Sequence, residues 1–282
     1  MAKTVSLVLG SGGARGMTHV GVIRWLEEND YVIKSISGCS MGALIGGFYA
    51  AGKLDTYVDW LCELNVIDML QLLDFKGSGG LVSGEILMKK LTELIGDHQI
   101  EDLDMKYTAI AADVTAEKEI WLNKGSLIEA IRASISLPLF FVPYHLNSRD
   151  LIDGGVLNPV PIAPTFNDET DLTIAVNLGG SVDPAYDKVV DLDDGSTSQK
   201  IVSYLKSIAS PEFFTERKSM YKIADQSFDA MQGTIARMKL SAYPPDVEIE
   251  FPRNLCGTLE FTRAREMIDH GYKTCKEVLG ES

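Results

Sequence analysis

Apolar positions along this chain recur with two periods, and the changes between them mark out the elements. Residues 4–9 form a short β-rich run that ends abruptly in Gly10-Ser11-Gly12-Gly13-Ala14-Arg15-Gly16. A helical pattern follows, with Val20, Ile23 and Leu26 three apart and Glu27, Glu28 and Asn29 closing it. A second β-rich run over 31–37 enters Gly38-Cys39-Ser40-Met41-Gly42, and 43–51 is small, apolar and of helix length. Strand, turn and helix, twice over, predict an α/β fold with a mostly parallel sheet covered by helices.

Residues 54–98 read as mainly helical, broken by the glycine-rich stretch 76–80, with Ser83 as the cap of the helix that follows. Strands are predicted over 107–114, 119–122, 151–152, 171–178 and 247–251, and a helix over 126–134 that stops before Pro138. The stretch 183–200, with Asp183, Asp187, Asp191, Asp193 and Asp194, reads as a solvated acidic loop. A long helix is expected over 211–238. Its Tyr221, Ala224, Phe228, Met231, Ile235 and Met238 stand three and four apart, which reads as a core-facing stripe. A lipid-facing lid and an oligomer surface are the alternatives for that stripe. An amphipathic helix over 260–278 closes the chain. With no repeat and no linker, 1–282 reads as one domain, its motif-bearing core at about 4–180 and a C-terminal helical portion at about 196–282.

Composition narrows the function classes. A hydrophobic share of 45% with 23% charged residues excludes a disordered chain. Lys+Arg number 26 against 40 Asp+Glu, a net charge of −14. No basic footprint for nucleic acid exists, and anionic lipid would be repelled, so a peripheral membrane contact would have to be apolar. Cys39, Cys62, Cys256 and Cys275 include no CxxC pair, which points to free thiols and no zinc site. No apolar stretch approaches the roughly 18 residues of a membrane span. The N-terminal apolar run is too short for a signal segment, so the expected location is the cytoplasm.

Three motifs carry chemistry. Gly38-x-Ser40-x-Gly42 between a strand and a helix is the pattern of a nucleophile elbow, in which small residues let the turn close and the serine projects at a helix N-terminus. The loop 10–16 presents backbone N–H groups to an anion. A dinucleotide fingerprint would need glycine where Arg15 stands and an acidic residue where Gly38 stands. An oxyanion hole would use the N–H groups of Gly12 and Gly13, and a plain tight turn is the third reading. Asp153-Gly154-Gly155 at a strand end supplies a carboxylate, and a serine nucleophile needs a base. The histidines are weak candidates: His19 lies in the first helix, His98 and His145 in loops, and His270 near the end of the last helix, before Gly271, where a cationic side chain is a routine feature.

Taken together the motifs resemble patatin-like phospholipases, acyl hydrolases with a Ser–Asp dyad. The family's Gly-Gly-Gly-x-Arg/Lys-Gly loop appears as Ser11-Gly12-Gly13-Ala14-Arg15-Gly16, with serine replacing one leading glycine. The elbow is Gly38-Cys39-Ser40-Met41-Gly42 and the dyad motif Asp153-Gly154-Gly155; His19-Val20-Gly21-Val22, Arg132-Ala133-Ser134 and Leu137-Pro138 match as well. The likeness runs from about Val5 to Leu178. It implies a three-layer α/β/α patatin-like core with a C-terminal helical elaboration. It also implies Ser40 as nucleophile, Asp153 as its base, and Gly12 and Gly13 as the oxyanion hole, with Arg15 lending charge or holding the loop. The implied substrate is a lipid or other fatty-acyl ester, cleaved through an acyl-enzyme, with no metal or organic cofactor. Two rivals stay open: a Ser40, Asp153, His270 triad of α/β-hydrolase type, and a catalytically silent regulatory protein with the same core. The first is disfavoured by the single strand ahead of 31–37, since that fold places several before its elbow.

Overall fold

The computed structural model describes residues 2–76, 81–186 and 211–280; most of the glycine-rich break and residues 187–200 of the acidic loop lie outside them, as do the side chains of Tyr221 and Ala224. The chain opens with β1 (Lys3–Leu9), α1 (Thr18–Glu28), β2 (Tyr31–Cys39) and α2 (Met41–Ala50). Next come α3 (Leu54–Glu63), α4 (Val66–Gln71), the antiparallel pair β3 (Phe75–Lys76) and β4 (Leu81–Val82), and α5 (Glu85–Ile95). They are followed by β5 (Lys106–Asp113), β6 (Lys118–Leu122), α6 (Leu127–Ser134), β7 (Tyr144–Leu146), β8 (Arg149–Asp153) and β9 (Leu172–Gly180). The last described segment holds α7 (Pro211–Ala242), β10 (Val247–Pro252) and α8 (Ala264–Leu279).

The central sheet runs β10-β9-β1-β2-β5-β8-β7, with β6 also on β5. Strands β10, β9, β1, β2 and β5 are mutually parallel, and β6, β7 and β8 pair antiparallel. Alternation along the strands sorts side chains to two faces. Leu7 and Leu9 of β1 and Ile174 and Val176 of β9 join the core made with α1, α2 and α8, including Ile23, Ile45, Phe48 and Met267. Val8 and Ala175 point the other way, against Val160, Ile162 and the Ala236 and Leu240 of α7. Helices on both faces make the three layers.

Strand order reverses at β1, with β2 on one side and β9 on the other. Loops leaving adjacent strands in opposite directions open a crevice at the strands' carboxyl ends, where ligands bind in such folds. The loops after β1, β2 and β9 all leave at that end.

The late strand expected over 247–251 is β10, an edge strand beside β9. One expectation is corrected: the core-facing stripe of α7 is offset. Met231 and Met238 are 56% and 67% exposed, while Gln232, Ala236 and Leu240 are buried. Spacing alone finds an apolar stripe but not which of two neighbouring faces meets the sheet.

The last helix runs on through Gly271 and ends at Leu279, next to the expected 278. Its glycine serves a close approach, since a Cβ there would lie 2.0 Å from the Thr18 carbonyl oxygen of α1. Gly21 makes the reciprocal approach to α8, where a Cβ would lie 2.0 Å from the Ile268 carbonyl oxygen. Backbone against backbone cannot relax by a rotamer change. Gly271→Ala should therefore lower stability by at least about 2 kcal/mol in denaturant unfolding. Gly52, with positive φ but nothing within 4 Å of an added Cβ, should lose only about 1 kcal/mol on mutation to alanine.

Candidate active site

Ser40 sits between β2 and α2 with φ 54° and ψ −120°. A non-glycine residue held there costs on the order of 1–3 kcal/mol, so the surroundings must impose it. A Cβ on Gly42 would lie 2.1 Å from the Leu9 carbonyl oxygen, and one on Gly38 would lie 2.5 Å from the Gly42 carbonyl oxygen. Only glycines let α2 start this close to the end of β1. The Ser40 N–H donates to Ser134 Oγ at 2.9 Å, and that hydroxyl donates to the Ile110 carbonyl of β5 at 2.6 Å. Ser134 thus pins the elbow from α6. The first-turn N–H groups of α2 and its dipole then favour negative charge beside Ser40.

Asp153 ends β8, where Ala111 of β5 pairs with it and its N–H donates to the Ser136 carbonyl at 2.9 Å. It is fully buried. Its Oδ1 accepts the Gly155 N–H at 2.8 Å, and its buried Oδ2 has no hydrogen-bond partner of ordinary geometry among the described residues. Burial pushes the carboxyl up to about 6, against the opposing pull of the nearby Ser40 hydroxyl, the Gly155 N–H and the Cys39 thiol. Cys39, adjacent to Ser40, is also fully buried, with Sγ 3.9 Å from Asp153 Oδ1. Burial first, then the Asp153 charge, hold its thiol protonated, which removes it as a nucleophile.

The glycine-rich loop lies alongside. Gly10 N–H donates to the Val176 carbonyl, Ser11 N–H to that of Pro159 and Ala14 N–H to that of Thr258. Among the described residues the N–H groups of Gly12 and Gly13 have no acceptor, which leaves them free for an oxyanion. Gly13 has φ 56°, and a Cβ there would lie 2.4 Å from the Thr258 carbonyl oxygen. That position is therefore structural in its own right. The Arg15 guanidinium does not stand free in the site. It is 3% exposed, donates to Asp229 of α7 at 2.9 and 3.4 Å, and donates to the Arg253 carbonyl. Of its two expected uses, holding the loop is the one its contacts serve.

No histidine bonds to Ser40 or Asp153. His19 is fully buried and its Nε2 reaches the Gly10 carbonyl at 2.8 Å. A carbonyl only accepts, so Nε2 carries the proton; burial lowers the ring to about 4, and it is neutral. His98 bonds the Ile95 carbonyl, His145 the Asp150 carboxylate, and His270 rests edge-on against Tyr186.

Sequence reasoning missed Asp229 and Gln232. Gln232 is 7% exposed, and its Nε2 donates to Ser11 Oγ at 3.1 Å. The signal was present as two polar residues three apart on α7, but the apolar stripe drew attention to the other face. Ser11, Arg15, Asn177, Asp229 and Gln232 line a cavity of only about 10 Å³ between α7 and the sheet, room for about one water.

The model of the patatin-like phospholipase family matches residues 7–166. An uncharacterized NTE family protein of Mycobacterium tuberculosis is 34% identical over 98% of this chain and 91% of its own. Lysophospholipase NTE1 of Pyricularia oryzae is 27% identical over 98% of this chain but only 18% of its own length. Patatin-like phospholipase domain-containing protein 6 of Mus musculus is 31% identical over 63% of this chain and 14% of its own. Among solved structures, VipD from Legionella pneumophila aligns with a TM-score of 0.49 at 14% identity, over 99% of this chain and 67% of its own. With the family model covering more than half of the chain and a relative aligned almost from end to end, the chain belongs to the patatin-like phospholipase family and is an enzyme of lipid hydrolysis.

Proposed function

We propose that this enzyme cleaves fatty-acyl esters of phospholipids or lysophospholipids through a Ser40–Asp153 dyad and an acyl-enzyme. The observation that carries the reading is the strained Ser40 at the start of α2 beside a buried carboxylate whose Oδ2 has no hydrogen-bond partner of ordinary geometry among the described residues. Ser40 Oγ attacks the ester carbonyl carbon while Asp153 takes its proton. The N–H groups of Gly12 and Gly13 receive the oxyanion. Collapse breaks the ester C–O bond, and the departing alkoxide takes the proton from Asp153. Water then attacks the acyl-Ser40 ester with Asp153 again as base, releasing the fatty acid and restoring the serine. The name lysophospholipase, borne by the Pyricularia relative, supports this substrate class.

Burial suits Asp153 to this work. A carboxyl near 6 is a stronger base than an exposed aspartate at about 3.9. Turnover should fall below about pH 6, as it would with a histidine base, so variants and not the pH profile separate dyad from triad. Ser40→Ala should be inactive toward a fluorogenic long-chain ester, and Asp153→Asn should lose roughly 10,000-fold in kcat. His19→Ala, His98→Ala, His145→Ala and His270→Ala should keep most of their activity when folded. One folded histidine variant as inactive as Ser40→Ala would overturn the dyad.

The raised carboxyl also fixes a stability signature. Its folded pKa lies above the unfolded value, so between about pH 4 and 6 the folded state binds the extra proton. The contribution is fully present below about pH 4 and lost as pH rises through 6. At pH 7 the buried carboxylate costs on the order of 2–3 kcal/mol. Asp153→Asn should unfold at higher denaturant than the parent at pH 7, with the gap closing by pH 4.

A further inference from the structure

The oxyanion loop is gripped from outside the family-matched region. Ser11 and Arg15 bracket Gly12 and Gly13, and each is held by α7, which lies beyond residue 166. Gln232 Nε2 donates to Ser11 Oγ at 3.1 Å, and Asp229 takes two donors from Arg15. Residues 229 and 232 are three apart, so one face of α7 makes both ties. Gln232 also reaches the second loop. A Cβ on Gly155 would lie 2.0 Å from its Nε2 and 2.9 Å from Ser11 Oγ. Gly155 N–H in turn donates to Asp153 Oδ1. A single buried amide thus lies between the loop that would receive the oxyanion and the loop that carries the base.

The partner on the oxyanion loop is telling. Ser11 stands where the patatin-like loop has a leading glycine, a position with no side chain to hold. In this chain the added hydroxyl is buried and accepts the amide of Gln232. Backbone bonds from Ser11 and Ala14 fix the ends of the loop, but the Gly12 and Gly13 N–H groups between them bond to nothing among the described residues. Their direction therefore depends on how the flanking side chains are held.

We propose that Gln232 is a positioning residue that acts through Ser11: together they set the aim of the Gly12 and Gly13 donors and make turnover depend on α7 being docked. The proposal rests on the oxyanion assignment above. Gln232 touches no reacting atom. A tie of this kind acts where charge develops, in the transition state, so its loss appears in kcat and leaves KM nearly unchanged.

The test is a double-mutant cycle on a soluble short-chain p-nitrophenyl ester, with Ser40→Ala measured alongside. Ser11→Gly and Gln232→Ala should each lower kcat about tenfold, the cost of a modest misplacement of the donors, with KM within twofold. The double variant should lose no more than either single, because both remove the same tie. Thr234→Ala, on the exposed face of α7, should match the parent. Ser11→Gly removes only the hydroxymethyl group and keeps the cycle informative if Gln232→Ala folds poorly. Unchanged kcat in folded Ser11→Gly, losses that multiply in the double variant, or a change confined to KM would each overturn the proposal. Full activity in Ser40→Ala would instead overturn the dyad reading beneath it, which separates the two failures.

Discussion

The structure turns on one close approach, that of the first turn of α2 to the end of β1. With the Gly42 Cα this near the Leu9 carbonyl, the chain has no room to leave β2 gradually. It turns at Ser40 into a conformation that a side chain ordinarily avoids. The same approach puts Ser40 against the start of the glycine-rich loop, because Leu9 and Gly38 are register partners on neighbouring strands. Ser40, the α2 N-terminus and the glycine-rich loop therefore come together from backbone packing, before any side-chain contact between them is made.

The second constraint is the burial of Asp153. Full burial with one unpaired oxygen is expensive for a carboxylate. The structure offsets part of the cost with the Gly155 N–H and the Cys39 thiol, and leaves the rest as a raised pKa. Stability is given up at neutral pH, and a carboxylate eager for a proton is gained next to a hydroxyl. Cys39 fits the same account. Its thiol faces Asp153, and burial keeps it protonated.

Helix α7 brings a different kind of interaction to the opposite face of the sheet. Among the described residues its buried apolar contacts there are Ala236 and Leu240 against Val8, Val160, Ile162 and Ala175. Its polar contacts are directed: part-buried Asp229 on Arg15 and buried Gln232 on Ser11, with part-buried Lys239 on Glu119 two turns further on. A helix attached by hydrogen bonds and charge pairs has a defined register, because a shift of one residue would unpair all three. Its outer side carries Ile223, Met231 and Met238 in the open.

Most of the core was legible from sequence. Abrupt strand ends at Gly10 and Gly38 marked the two turns because glycine is required wherever backbone meets backbone. Period-2 and period-3.6 patterns placed β1, α1, β2, α2, β5 and β9 to within a few residues, since each buries a face of its own. Ser40 and Asp153 stood out for the same reason, each lying within a short motif whose glycines have local causes. The partners of Arg15 and Ser11 were not legible, nor was Ser134's hold on the Ser40 N–H, because these contacts join residues some 90 to more than 200 positions apart and no local pattern records them. The face of α7 that meets the sheet was misread because the exposed methionines mimic a core stripe. Only the tertiary structure decides which neighbours a helix has, and there directed polar bonds from Asp229 and Gln232 outweigh the apolar period.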